Sequence, residues 1–253
     1  SSPGADLSDV ARLRQTRSSL SQARLREYVY SPRLEVRMSA LRALRNLEMD
    51  HASVKLVMEQ IDTGAFTTGW LAADILGEQR VTAAVEPLRR ALQSDDPFLA
   101  GKAMVNLVRI GDSESYDEIR RRFRAAEQVR VIIYGSKAIA AMQQVSDLPV
   151  LLEKACRADI PAAVKDEVLI SAARLCGAED RYYRLIRTHK NDPDAALESK
   201  AKETPKFWQA WCGGEHGRAL SALREQLPLR SLEQVEGSDE DDPGGREASQ
   251  EDS

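Results

Sequence analysis

Residues 82–111 read TAAVEPLRRALQSDDPFLAGKAMVNLVRIG, and their pattern decides the fold. Val85, Leu88 and Leu92 recur at helical spacing on one face; Pro97 then opens a second helix whose apolar face carries Leu99, Ala103, Leu107 and Ile110. Gly111 supplies the stop and Asp112 begins the next turn. A shift of 31 residues carries the first-helix face onto Tyr116, Ile119 and Phe123, which are again apolar. The unit is a helix pair, and it repeats.

The repeat extends in both directions. A small residue stands four positions ahead of a large apolar one at Ala40/Leu44, Ala72/Leu76, Ala103/Leu107, Ala138/Met142 and Ser171/Leu175. First members are 32, 31, 35 and 33 residues apart, the step of one supersecondary unit stacked on itself. The small residue lets second helices approach closely, and the large one fills the space beside it. The longest interval places its extra residues in the AEQV connection around Glu127. Because each pair has an apolar stripe on both sides, it needs neighbours to bury them.

Composition agrees with an all-α chain. Hydrophobic residues make up 42% of 253 and aromatics only 5%, and no alternating stretch rich in Val, Ile and Thr occurs. The net charge of −4 divides unevenly: residues 233–253 hold nine acids and one base, leaving the preceding body at +4. That surplus is too small for a dedicated nucleic-acid binder and disfavours nucleic acid as a partner. No apolar run approaches the roughly 20 residues of a membrane span, so the expected location is cytoplasmic. The chain begins SSPGAD without an initiator Met, so it is expected to be a domain of something longer, with any membrane attachment upstream.

The expected organisation is a flexible segment over 1–17, about five helix pairs over 18–190, capping helices over 191–232 and a disordered acidic tail over 233–253. Leu20, Leu25, Tyr28 and Val29 form the apolar face of the N-terminal cap. Phe207, Trp208 and Trp211 read either as a plug for the other end or as a partner groove, and Leu220, Leu223 and Leu227 give one more amphipathic helix.

LAADILGEQRVTAAVEPLRRAL, DPFLAGKAMVNLVRIGDSESYDEI, SPRLEVRMSALRALRNLE and IPAAVKDEVLISAARLCGAED, with the pairs Val36-Arg37 and Val164-Lys165, resemble short bacterial HEAT repeats of the phycobilisome-lyase type. The resemblance covers residues 18–190 and implies an α-α superhelix, an armadillo-like solenoid that serves protein–protein interaction. It departs at KAIAAMQQVSD, where Gln143 replaces a small residue and Ser146 a glycine, which implies a looser turn. The succession FTTGWLAADILGE, DDPFLAGKAMVNL, QVRVIIYGSKAIA and VKDEVLISAARLCG bears a second, looser resemblance to HEAT domains appended to the cytosolic end of bacterial membrane transporters. Such motifs specify a fold and leave the activity open.

Catalytic patterns are scarce. The chain has no Gly-rich phosphate loop, no GxSxG and no HExxH, and none of His51, His189 and His216 precedes a Glu, as the iron site of HEAT-type deoxyhypusine hydroxylases requires. Cys156, Cys176 and Cys212 have no metal-ligand spacing. No metal or cofactor is expected. Trp70 and Asp74, four apart, resemble the pocket of HEAT-like alkylpurine DNA glycosylases, in which an aromatic wall stacks on a base and a carboxylate stabilises a cationic sugar. The favoured reading is a non-enzymatic scaffold. Arg37, Arg42, Lys102, Arg109, Lys137 and Lys165 on the second helices read either as ordinary solubilising charge or as a shallow basic ladder for an acidic protein or peptide partner or for phosphates. RRRFR at 120–124 reads instead as a solvated face, paired with Asp117 and Glu118 around a core Phe123.

Overall fold

A computed structural model describes residues 7–16, 19–63, 66–157, 159–177, 179–180 and 183. Among them there are eleven α-helices and no strand: α1 (Leu7–Thr16), α2 (Ser19–Val29), α3 (Leu34–Arg45), α4 (His51–Thr63), α5 (Phe66–Glu78), α6 (Val85–Leu92), α7 (Pro97–Ile110), α8 (Tyr116–Ala125), α9 (Val129–Ala141), α10 (Leu148–Ala155) and α11 (Ala162–Leu175). Each even-numbered helix packs on the odd-numbered helix that follows it, and each odd-numbered helix packs on the next odd-numbered one. None of the described helices is long and apolar enough to cross a membrane. The expected capping helices and acidic tail lie outside the described residues, with Phe207, Trp208 and Trp211.

All five small/large pairs are buried, and they sit on α3, α5, α7, α9 and α11, with Met142 at the C-cap of α9; these helices pack on one another in that order. Ala72 and Ala103 on adjacent helices are fully buried beside Leu76 and Leu107, each of which contributes about 2 kcal/mol by leaving water. Ser171, the polar member of the set, shares a hydrogen bond of 3.1 Å with Ser136 of α9, so its hydroxyl enters the core satisfied.

The ends of α7 follow their sequence signals. Asp96 caps the helix by accepting from the Phe98 N–H at 2.9 Å, Pro97 fills the first position, and Gly111 closes it at φ 95°. The same left-handed position recurs after three other odd helices, at Arg80 (φ 51°), Gln143 (φ 57°) and Gly177 (φ 66°). Two of these four exits therefore use a residue with a Cβ in a conformation that suits glycine. The left-handed residue after α9 is Gln143, while Ser146 lies inside the short 3-10 turn Val145–Asp147.

Three features differ from the sequence reading. Residues 7–16 of the segment expected to be flexible form α1, because Val10, with Leu13 one turn later, gives that helix a buried edge against the core next to α3. The extra residues between Ala103 and Ala138 do not lengthen the AEQV connection; α8 has 10 residues against 8 in α6, and α9 begins further ahead of its small residue than α7 does. Leu20 is 82% exposed while Leu25 and Val29 are buried. It lies five residues ahead of Leu25, which at about 100° per residue turns it well away from the buried edge.

Candidate functional site

The odd-numbered helices carry the polar and aromatic residues that converge most closely. Trp70 and Asp74 lie one turn apart on α5, Phe98 and Lys102 one turn apart on α7, and Tyr134 and Lys137 on α9. Stacking the helices brings the rings into a row: Trp70 meets Phe98 edge-on at 5.3 Å between centroids, and Phe98 meets Tyr134 at 5.4 Å. Both contacts have the T-shaped geometry that aromatic quadrupoles favour. All three rings are half-buried.

The Lys102 ammonium lies among them. Its Nζ is 5.7 Å from the Trp70 centroid, 5.7 Å from Phe98 and 4.9 Å from Tyr134, and it donates to Asp74 Oδ2 at 2.6 Å. The side chains of Lys102 and Asp74 are only 16% and 15% exposed, so the pair is largely shielded from solvent screening. Asn106 holds the carboxylate from the other side. Its Nδ2 donates to Asp74 Oδ1 at 3.0 Å and to the Lys102 carbonyl at 2.9 Å, while its Oδ1 accepts from Arg109 at 3.2 Å. Asn106 is fully buried, and these bonds satisfy it.

Two glycines make the approach possible. A Cβ on Gly77 would lie 2.1 Å from Asn106 Oδ1, and one on Gly101 would lie 2.8 Å from the Tyr134 ring. Both glycines are inside helices, where glycine costs about 1 kcal/mol relative to alanine. They are the structural requirement for bringing Asn106 against α5 and Tyr134 against α7.

The expected basic ladder is not a row of free cations. Lys102 pairs with Asp74, Arg109 lies 3.9 Å from Glu78, and Lys137 lies 3.2 Å from Glu167. In each case the carboxylate comes from the neighbouring odd helix, because stacking lays equivalent faces side by side. Arg37 donates to the carbonyls of Ser31 and Pro32 at 2.7 and 3.0 Å and braces the α2–α3 connection. Lys165 is buried rather than presented on a surface. Arg42 alone of the six remains an exposed cation with no carboxylate partner among the described residues. Arg130, which the sequence reading missed, is exposed and stacks over Phe98 at 5.2 Å, again with no carboxylate partner among the described residues. Its signal was present: Arg130, Tyr134 and Lys137 follow the i, i+4, i+7 spacing of one helix edge.

Trp70 and Asp74 do share a face, but both Asp74 oxygens are engaged and Trp70 stands edge-on to Phe98. Among the described residues no group of three or more His, Cys, Asp and Glu is placed to hold a metal ion. No family model matches the chain. No curated protein matches it significantly either.

The even-numbered helices carry a separate ionic system. Arg26 reaches Asp50 at 2.8 Å, Arg89 reaches Asp112 at 2.6 Å, and Arg120 reaches Asp147 at 2.7 Å; each acid lies at the entry to the next even helix. Burial works to raise the Asp112 carboxyl, and hydrogen bonds from Arg89 and Ser115 outweigh it and hold the group below the usual carboxylate range. RRRFR follows its expectation in part: Phe123 is fully buried, Arg120 meets Asp117 at 2.8 Å and Arg121 meets Glu118 at 2.6 Å, but the Arg120 side chain is only 14% exposed and is not part of a solvated face. Lys154, only 3% exposed, donates to the carbonyls of Arg124 and Ala126 at 2.7 and 3.0 Å. Burial, reinforced by the positive charge of Arg157, pushes its amine down to about 8. The contacts of Arg26 with Asp50, Arg89 with Asp112, Arg120 with Asp147 and Lys154 with the Arg124 carbonyl tie successive even helices together.

Proposed function

We propose that the chain is a HEAT-like α-solenoid of about five helix pairs that works as a non-enzymatic protein-interaction scaffold. The two rows of helices and the recurring buried small residues support the repeat reading. The observation that carries the interaction reading is the half-exposed Trp70–Phe98–Tyr134 row, continuous over three helices, with the guanidinium of Arg130, which has no carboxylate partner among the described residues, resting on Phe98. Aromatic and arginine side chains on one surface are the composition of interaction hot spots. The partner that fits is an acidic segment of protein: the cations elsewhere on the face are largely neutralised from within, and Arg130 offers a planar donor for a carboxylate.

Selecting displayed random peptides on the full chain tests this reading. Acid-rich sequences should be enriched, and Arg130→Glu should abolish their binding while the circular dichroism stays that of the wild type. Enriched peptides without acidic residues, or binding that survives both Arg130→Glu and Phe98→Ser, would remove this face as the docking surface. The DNA-glycosylase-type reading is the weaker one, since Asp74 would first have to be released by Lys102 and Asn106. It requires duplex DNA binding that falls steeply with salt.

A further inference from the structure

We propose that Trp70, Phe98, Tyr134 and Asp74 constitute an ammonium-recognition cage whose resident ligand is the chain's own Lys102. The ligand class the cage accepts is a primary or N-methylated alkylammonium. The cage shares Trp70, Phe98 and Tyr134 with the proposed docking face, but it rests on their contacts with Lys102 and stands whichever partner docks there.

Three features distinguish the arrangement from an ordinary ion pair. First, three aromatic rings from three different helices lie within the roughly 6 Å over which a ring quadrupole attracts a cation, at 5.7, 5.7 and 4.9 Å from one nitrogen. Secondly, the carboxylate has a holder other than the cation. Asn106, fully buried, fixes Asp74 from the side opposite Lys102, and Gly77 makes room for it. Thirdly, the cation is supplied by a flexible four-carbon stem, whereas the cage walls are fixed by helix packing. Walls, carboxylate and occupant are therefore separable, and the walls would survive removal of the occupant.

Because Lys102 is tethered to α7, it occupies the cage at a high effective concentration, and a free ammonium ion at ordinary concentration does not displace it. Shortening that one side chain vacates the cage without touching a wall. The Lys102→Ala variant of the full chain should gain thermal stability in a saturable manner on titration with methylammonium or trimethylammonium chloride, measured against sodium chloride of equal ionic strength. The expected rise is about 4 °C at tenfold the dissociation constant. The wild type should show no difference between the two salts, and adding Tyr134→Leu or Asp74→Asn to the Lys102→Ala background should remove the effect. A folded Lys102→Ala variant that responds identically to ammonium and sodium salts would overturn the proposal.

A second measurement keeps the test open if that variant does not fold. Reductive methylation of the native wild type with ¹³C-formaldehyde attaches NMR-visible methyl groups to the nine lysines. One signal, absent from Lys102→Arg, should lie upfield of the rest through the ring currents of the three aromatics. Coincidence of the Lys102 signal with those of exposed lysines would show that its amine is not caged, and would equally overturn the proposal.

Discussion

Replacing Gly77 with alanine would put a methyl group where the Asn106 carboxamide already lies. The added carbon would sit 2.1 Å from Oδ1, 2.4 Å from Cγ and 2.5 Å from Cβ, too close for a slight adjustment, and Asn106 is fully buried. Alanine in a helix interior is worth about 1 kcal/mol over glycine, so intrinsic propensity alone predicts stabilisation. Against it stand overpacking, about 1–3 kcal/mol, and displacement of a side chain with three hydrogen-bond partners at roughly 1 kcal/mol each. Asp74, Lys102 and Arg109 would all lose a contact. The net expectation is a loss of about 3 kcal/mol, read as a fall in melting temperature of about 9 °C for a chain of this size. Urea unfolding at neutral pH measures it, and a double-mutant cycle assigns it. Asn106→Ala alone should cost about 2 kcal/mol, and the Gly77→Ala/Asn106→Ala double variant should be no worse than Asn106→Ala, since the second substitution removes the clash created by the first. Wild-type stability in Gly77→Ala, or a double variant showing the sum of the two losses, would refute the account of how α5 and α7 fit together.

Other positions test separate parts of the structure. Gln143→Gly should raise stability by about 1 kcal/mol by relieving the left-handed conformation, whereas Gly111→Ala, whose added carbon would meet nothing within 4 Å, should lose a similar amount through backbone strain alone; thermal unfolding reads both. Arg120 holds a buried and an exposed acid, so Asp147→Asn should cost about 2 kcal/mol and Asp117→Asn less than about 0.5 kcal/mol in urea unfolding, because Asp147 is 7% exposed and Asp117 97%. Lys154 holds its proton less tightly in the folded chain, at about 8, than in the unfolded one, so the unfolded state binds more protons between that value and the ordinary lysine range. Stability relative to Lys154→Met should therefore rise, by on the order of 2 kcal/mol, as pH climbs from about 8 towards 10. Equal pH slopes in the two proteins would discount the buried charge.

Much of the helical organisation was legible because its signals are local or periodic. Asp96, Pro97 and Gly111 mark the ends of α7 through their own backbone preferences, and Ala72/Leu76 and Ala103/Leu107 announce a buried face by spacing. The candidate site was less legible, because it depends on how far one helix slides along the next. Trp70 and Asp74 were singled out as a pair on one helix, but the groups that define their chemistry, Phe98, Lys102, Asn106 and Tyr134, arrive from α7 and α9. Charge counting likewise registers Lys102 and Lys137 as cations, while their neutralisation by Asp74 and Glu167 exists only after packing. Gly77 and Gly101 look in the sequence like helix weaknesses. Their purpose appears only when Asn106 and Tyr134 are set against them.

The four helix exits are unequal in a way that bears on motion. α7, which supplies Lys102 and Phe98, leaves through Gly111, whereas α5 and α9, which hold Trp70, Asp74 and Tyr134 around that lysine, leave through Arg80 and Gln143 in the same left-handed geometry. The strain is thus placed on either side of α7 and not on it. Under native-state hydrogen exchange the amides just beyond Arg80 and Gln143 should open ahead of those beyond Gly111, so the central helix would act as the slow element of the face and its two neighbours as the hinged ones.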